Sequence, residues 1–120
     1  MSISNYAENK LLDTLRGTAF SVSTVYLQLH TGDPGEDGTG NVAGETTRQS
    51  AAFSAASGGS MATSGTVSWT SVSNTETVTH WSAWDASSSG NCLWSGALTS
   101  SASLEAGDTF QITSLTLTLD

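Results

Sequence analysis

Thr75–Leu98, TETVTHWSAWDASSSGNCLWSGAL, decides the fold. Its first part, through Asp85, is rich in β-branched and aromatic residues, and its last part, from Cys92, has the same character. The polar ASSSGN between them (Ala86–Asn91) is turn chemistry. The stretch therefore predicts two antiparallel strands around a serine-rich turn, with Trp84 and Trp94 facing each other across the hairpin. It also holds His80, Asp85, several serines and Cys92, which raises the question of an active site.

The strand reading answers most of that question. His80 and Asp85 have opposite parity, so a straight strand points them to opposite faces. No G-x-S-x-G elbow is present. Cys92 has no cation or helix N-terminus nearby in sequence to activate it and reads as a small buried hydrophobe. With two histidines and one cysteine, a four-ligand zinc site is not available. A carboxylate pair drawn from Glu76, Asp85, Glu105 and Asp108 is the remaining enzymatic possibility, and it ranks last. No catalytic, cofactor or metal residue is predicted. The tryptophans read as core or subunit-interface anchors, with an exposed sugar-binding platform as the lesser alternative.

Outward from the hairpin, the same period continues. TVYLQLH places Val25, Leu27 and Leu29 on one face and Tyr26, Gln28 and His30 on the other. TRQSAAFSAA alternates Ala51, Phe53 and Ala55, and GTVSWTSV pairs Val67 with Trp69. A turn at Ala106–Asp108 precedes Phe110 and Ile112, and Leu115, Leu117 and Leu119 alternate to the end. SGGS (Ser57–Ser60) is a turn. TGDPGEDGTGN (Thr31–Asn41) carries Asp33, Glu36 and Asp37 without the spacing of a calcium loop and reads as a long exposed loop. The expected fold is mainly β, an antiparallel β-sandwich or Greek-key barrel-like domain over residues 18–120, preceded by one α-helix within residues 1–17.

That helix spans residues 4–16. Ser4 caps it, Glu8 and Arg16 suit the two ends of its dipole, and Gly17 stands at the left-handed C′ position. Ala7, Leu11, Leu12 and Leu15 form its apolar stripe. So short a helix is marginal alone and must lie on a sheet or a neighbouring subunit. Tyr6, Ala7, Leu11, Leu12, Leu15, Trp81, Trp84 and Trp94 are the candidate protein-interface residues.

Composition bounds the partners. Serine and threonine fill about a third of the chain, charged residues make up 12%, and the net charge is −8 with Lys10, Arg16 and Arg48 as the bases. Such a chain lacks the clustered cations that nucleic acid or an anionic membrane requires. It has no apolar run of membrane-spanning length. MSISNYAENK has no basic segment leading into an apolar core, so no signal peptide is predicted and the expected place of synthesis is a cytoplasm.

SNYAENKLLDTL, VTHWSAWDASSSGNCLWSGAL and GDTFQITSLTLTLD together resemble a family of small tailed-bacteriophage virion proteins commonly labelled phage tail fibre proteins. Its members share an N-terminal amphipathic helix, a TVYLxLxTxDPG strand and loop, an Arg-containing strand, VTHxxIxD, and GDTF near the C-terminus. The likeness spans nearly the whole chain; Trp81 and Trp84 stand where aliphatics or a smaller aromatic are common. The resemblance implies a non-enzymatic virion protein, made in the host cytoplasm, with no catalytic residues to carry over. Two placements follow. The first is a capsid decoration, or cement, protein bound to the major capsid protein of the assembled head. The alternative is a tail-fibre or tail-tip domain binding host glycan or another tail protein. A homo-oligomer, with a trimer as one form, suits either, and both chain ends are expected to be tied down in the assembly.

Overall fold

Alternation of large apolar and polar side chains produces the central hairpin of the computed structural model, which describes residues 2–119. Strands β6 (Glu76–Trp84) and β7 (Cys92–Leu104) pair antiparallel along their length. The remaining elements are β1 (Ser2–Ile3), α1 (Asn5–Thr14), β2 (Val25–His30), β3 (Gln49–Ala51), β4 (Ser60–Ala62), β5 (Val67–Trp69), β8 (Phe110–Ile112) and β9 (Thr116–Thr118). The fold is mainly β and antiparallel, with one N-terminal helix among the described residues. The expected hold on both chain ends concerns Met1 and Asp120, which lie outside those residues.

One sheet has the order β1-β7-β6-β2-β3, and two ribbons, β4-β9 and β5-β8, complete the strands. Their apolar sides meet in one core of Leu27, Leu29, Val67, Trp69, Val78, Trp81, Ile112, Leu115 and Leu117. The ribbons take the place of a full second sheet. Each large side chain buried there contributes roughly 1.5–3 kcal/mol, which is how strands of three residues hold together.

Two register breaks shape the hairpin. Val78 pairs with Ala102 and His80 with Ala97, so β7 bulges by Leu98–Ser101 opposite Thr79. That break lets Val78 and Trp81, three residues apart, share the core face. Near the turn, Ala83 pairs with Trp94 but Trp84 pairs with Cys92, leaving Leu93 as the extra residue. The predicted Trp84–Trp94 pairing is therefore corrected: the bulge sends the two indoles to opposite faces. Trp94 packs against the core, and Trp84 joins the other side of the sheet.

The helix starts and stops as its sequence signals require. The Ser4 side chain accepts from Ala7 N at 3.1 Å and donates to the Cys92 carbonyl, tying the cap to β7. At the far end Gly17 N bonds Thr14 O and Thr18 N bonds Asp13 O. With Gly17 at φ 93°, this is a Schellman exit that a residue with a Cβ adopts only under strain. β1 adds to the predicted elements; two residues are too few for any periodic signal. The strand predicted through Ala55 ends at Ala51, with Phe53 left in an isolated bridge to Thr63.

The Thr31–Asn41 loop is not simply exposed. Pro34 and Gly38 are buried, and a Cβ on Gly38 would stand 2.7 Å from Cys92 Sγ. Thr31 N bonds Asn41 O at 2.9 Å and Gly40 N bonds Pro34 O at 2.8 Å. The loop folds back as a cover for the second face of the sheet.

Candidate functional site

Under that cover lies the most chemically suggestive cluster of the molecule. β2 and β6 set Gln28 beside Ser82 and Tyr26 beside Trp84. His30 Nδ1 is 2.8 Å from the Gly40 carbonyl, which can only accept, so the ring proton sits on Nδ1. His30 Nε2 then accepts from Ser82 Oγ at 2.7 Å, and Ser82 Oγ accepts from Trp84 Nε1 at 2.7 Å. Burial lowers the His30 pKa, the bond to Gly40 partly opposes that, and His80 and Arg48 add to the lowering. The imidazole is neutral at pH 7.

A Ser–His contact of this length is the geometry of an activated nucleophile. Here both residues are 0% exposed, so Ser82 Oγ meets no solvent and no substrate in this arrangement. The cluster instead pins the acidic loop: His30 is the post, Gly40 the anchor. Arg48 closes the same face, its guanidinium 4.0 Å from the Trp84 ring and Nη1 donating to Ala86 O and Ser89 O at 2.8 Å each.

The other residues with chemical potential are bound into turns. His80 Nδ1 lies 2.7 Å from Thr79 Oγ1, while Asp85 accepts from Asn91 N and Nδ2 at 2.8 and 3.0 Å across the hairpin end. Glu76 accepts from Gly44 N and Glu45 N, the buried Glu45 from Ser73 N and Thr47 N, and Asp108 from Glu105 N. Asp33 and Asp37 each accept within their own loop; the Thr39 hydroxyl, then its amide, lower the Asp37 pKa. Among the described residues no group of three or more His, Cys, Asp or Glu side chains is placed to hold a metal ion.

Cys92 is buried at 5% exposure, and that burial pushes its thiol pKa up to about 11. In native protein at pH 8, iodoacetamide is expected to alkylate it about 100-fold more slowly than in urea, from the loss of thiolate alone. Mass spectrometry of quenched samples reads the two rates; equal rates would disprove the burial.

On the opposite side of the sheet, α1 and the segment around residues 20–25 enclose an apolar cleft of 550 Å³. Ala7, Leu11, Phe20, Phe53, Leu93 and Trp94 wall it, and no charged side chain among the described residues lines it. Its size is that of a ligand pocket or a docking groove. The helix bounding it is fixed at its N-terminal end through Ser4 and β1. Its far half overhangs, leaving Leu12 63% and Leu15 85% exposed.

The eight predicted interface residues divide by place. Ala7, Leu11 and Trp94 line the cleft, and Leu12 and Leu15 stand open on the helix. Tyr6 is half-buried, edge-on to Phe20 with ring centroids 6.2 Å apart and with Lys10 Nζ 5.6 Å from its centre. Trp81 is inside the core at 2% exposure, and Trp84 is sealed under Arg48 and the acidic loop. With Trp69 buried and Trp94 half-buried, the described residues present no exposed indole platform. Phe20, Phe53 and Leu93 are cleft residues that the sequence reading missed. The alternation of Phe20 and Val22 just before β2 is a local signal for the first, and that of Ala51, Phe53 and Ala55 for the second.

Comparison with known families places the chain among bacteriophage structural proteins, the fibre components of the virion. A family model described as "Podophage GP4 fiber I protein gp80" matches residues 2–120, and the chain belongs to this family. No curated protein matches the chain.

Proposed function

We propose that the protein is a non-enzymatic fibre subunit that works by attachment, with the helix–cleft face as its docking surface. The observation that carries this reading is the uncharged cleft beside two open leucines on a molecule of net charge −8. Apolar side chains left open on an otherwise acidic, polar surface mark a place where another protein sits. The sealing of Ser82 and His30, and the use of the turn carboxylates as amide acceptors, support a structural rather than a catalytic role.

Family membership favours the fibre over the capsid lattice, and the partner proposed for this face is another protein of the fibre or tail. The acidic charge disfavours nucleic acid, and no helix among the described residues is long and apolar enough to cross a membrane. Burial of the tryptophans leaves host-glycan binding through stacked indoles without support. Immunogold labelling of intact virions tests the placement. Label at the tail is expected; label spread over the head would overturn it.

A further inference from the structure

We propose that the outer edge of β7 is a strand-acceptor site: an extended, uncharged segment of another virion protein adds to the sheet along Gly96–Leu104 and fills the groove beside it. β7 runs for thirteen residues. β6 flanks it on one side, and on the other β1 reaches only Trp94 and Ser95. Beyond Ser95 no strand among the described residues pairs with that side. Within this stretch Leu98–Ser101 also lack a register partner on β6, so the backbone of Thr99 and Ser100 has no strand partner on either side.

A row of unpaired N–H and C=O groups at strand spacing is matched by another extended backbone. A helix satisfies its own backbone, and a small molecule or sugar has no such repeat. Proteins that keep a sheet edge free of partners give it charge, proline or a covering loop. Gly96–Leu104, GALTSSASL, has no charged residue and no proline, and Ala97, Thr99, Ser100, Ser101 and Ser103 are exposed. The second layer leaves room for the incoming strand. A groove of 660 Å³ lies between Ala97–Ser100 of β7 and Phe110–Thr116, where the two ribbons fall short of a full sheet. Trp81, Ile112 and Leu115 of the core line it, and no charged side chain among the described residues does. An added strand turns alternate side chains toward those core residues. The occupant's chemistry follows: apolar residues at every second position and no charge among them. The groove shares no lining residue with the helix–cleft face, so this contact is separate from the docking surface proposed above.

Hydrogen–deuterium exchange of the full chain, free and in intact virions, tests the site. The amides of Thr99 and Ser100 are expected to exchange freely in the isolated chain and at least about tenfold more slowly in virions. Equal rates overturn the proposal. So does protection already present in the isolated chain, which assigns the edge to a second copy or to the fold itself. Two substitutions separate backbone from side chain: Ser100→Pro removes an N–H, whereas Ser100→Ala removes only the hydroxyl. Both are expected to keep the native circular dichroism. The proline variant is expected to enter virions at least about tenfold less well and the alanine variant normally. A folded proline variant that is incorporated normally overturns the proposal, and so does an alanine variant excluded alongside it, which assigns the contact to side chains. Where the proline variant fails to fold, the exchange comparison decides alone. Immunogold label over the head overturns the fibre placement but leaves this test intact, because exchange is read wherever in the virion the chain sits.

Discussion

Replacing Trp81 with alanine is expected to cost about 3–5 kcal/mol, a large share of the roughly 5–15 kcal/mol available to a domain. The indole is 2% exposed, at the centre of the five-stranded sheet, with Leu29 as its partner on β2 and Gly96 on β7. Gly96 is there because the ring lies against its backbone: a Cβ would stand 2.9 Å from Trp81 Cζ2 and 3.1 Å from Cε2. Removing the ring opens a void that these neighbours cannot close, since their positions are fixed by strand pairing. The converse change, Gly96→Ala, forces the ring aside and is expected to cost about 1–3 kcal/mol through overpacking. Because the two sites share one space, Trp81→Ala combined with Gly96→Ala is expected to be less damaging than the sum of its parts. Urea midpoints of the four proteins measure this. A Trp81→Ala penalty under about 1 kcal/mol is incompatible with the ring being the centre of the core.

That core was legible where each local signal agrees with the tertiary one. Val67 and Trp69, Phe110 and Ile112, and Leu115 and Leu117 all point inward as their alternation predicts, although Leu119, next in the series, is 50% exposed at the end of its ribbon. The helix follows its cap and its glycine. What sequence could not supply depends on residues distant in the chain. The bulge at Leu93 is a register choice between two strands, and it alone separates Trp84 from Trp94. The acidic loop has the composition of solvated chain, yet Pro34 and Gly38 are buried because His30, Trp84 and Cys92 need a cover. The stripe from Ala7 to Leu15 predicts one buried face, but the fixed end of the helix is at Ser4, so burial fades along it. For the same reason the docking cleft was half legible. Its helix residues and Trp94 come from short signals, while Phe53, just past β3, and Leu93, the bulge residue of β7, are brought in from distant parts of the chain.

His30 is expected to make stability depend on pH near neutrality. The folded protein holds the imidazole neutral, with a pKa lowered mainly by burial and further by His80 and Arg48. The unfolded chain takes up a proton near pH 6.5. Between the unfolded and the folded pKa the unfolded state binds more protons, so stability falls as pH drops below about 6.5, at up to about 1.4 kcal/mol per pH unit. Above that pH the contribution is complete. His30→Gln is expected to flatten the slope between pH 7.5 and 5.5, since an amide can still donate to Gly40 and accept from Ser82 without titrating. His30→Leu is expected to cost about 2–4 kcal/mol at any pH in this range, because it strands the Gly40 carbonyl and the Ser82 hydroxyl in a buried setting. The loss is local first: amides of Thr31–Asn41 should exchange with deuterium faster in the leucine variant before the sheet itself unfolds. Parallel urea titrations of the three proteins at pH 7.5 and 5.5 decide the matter. An identical pH slope in native protein and His30→Gln would place the proton uptake on another group and remove His30 as the post that holds the loop.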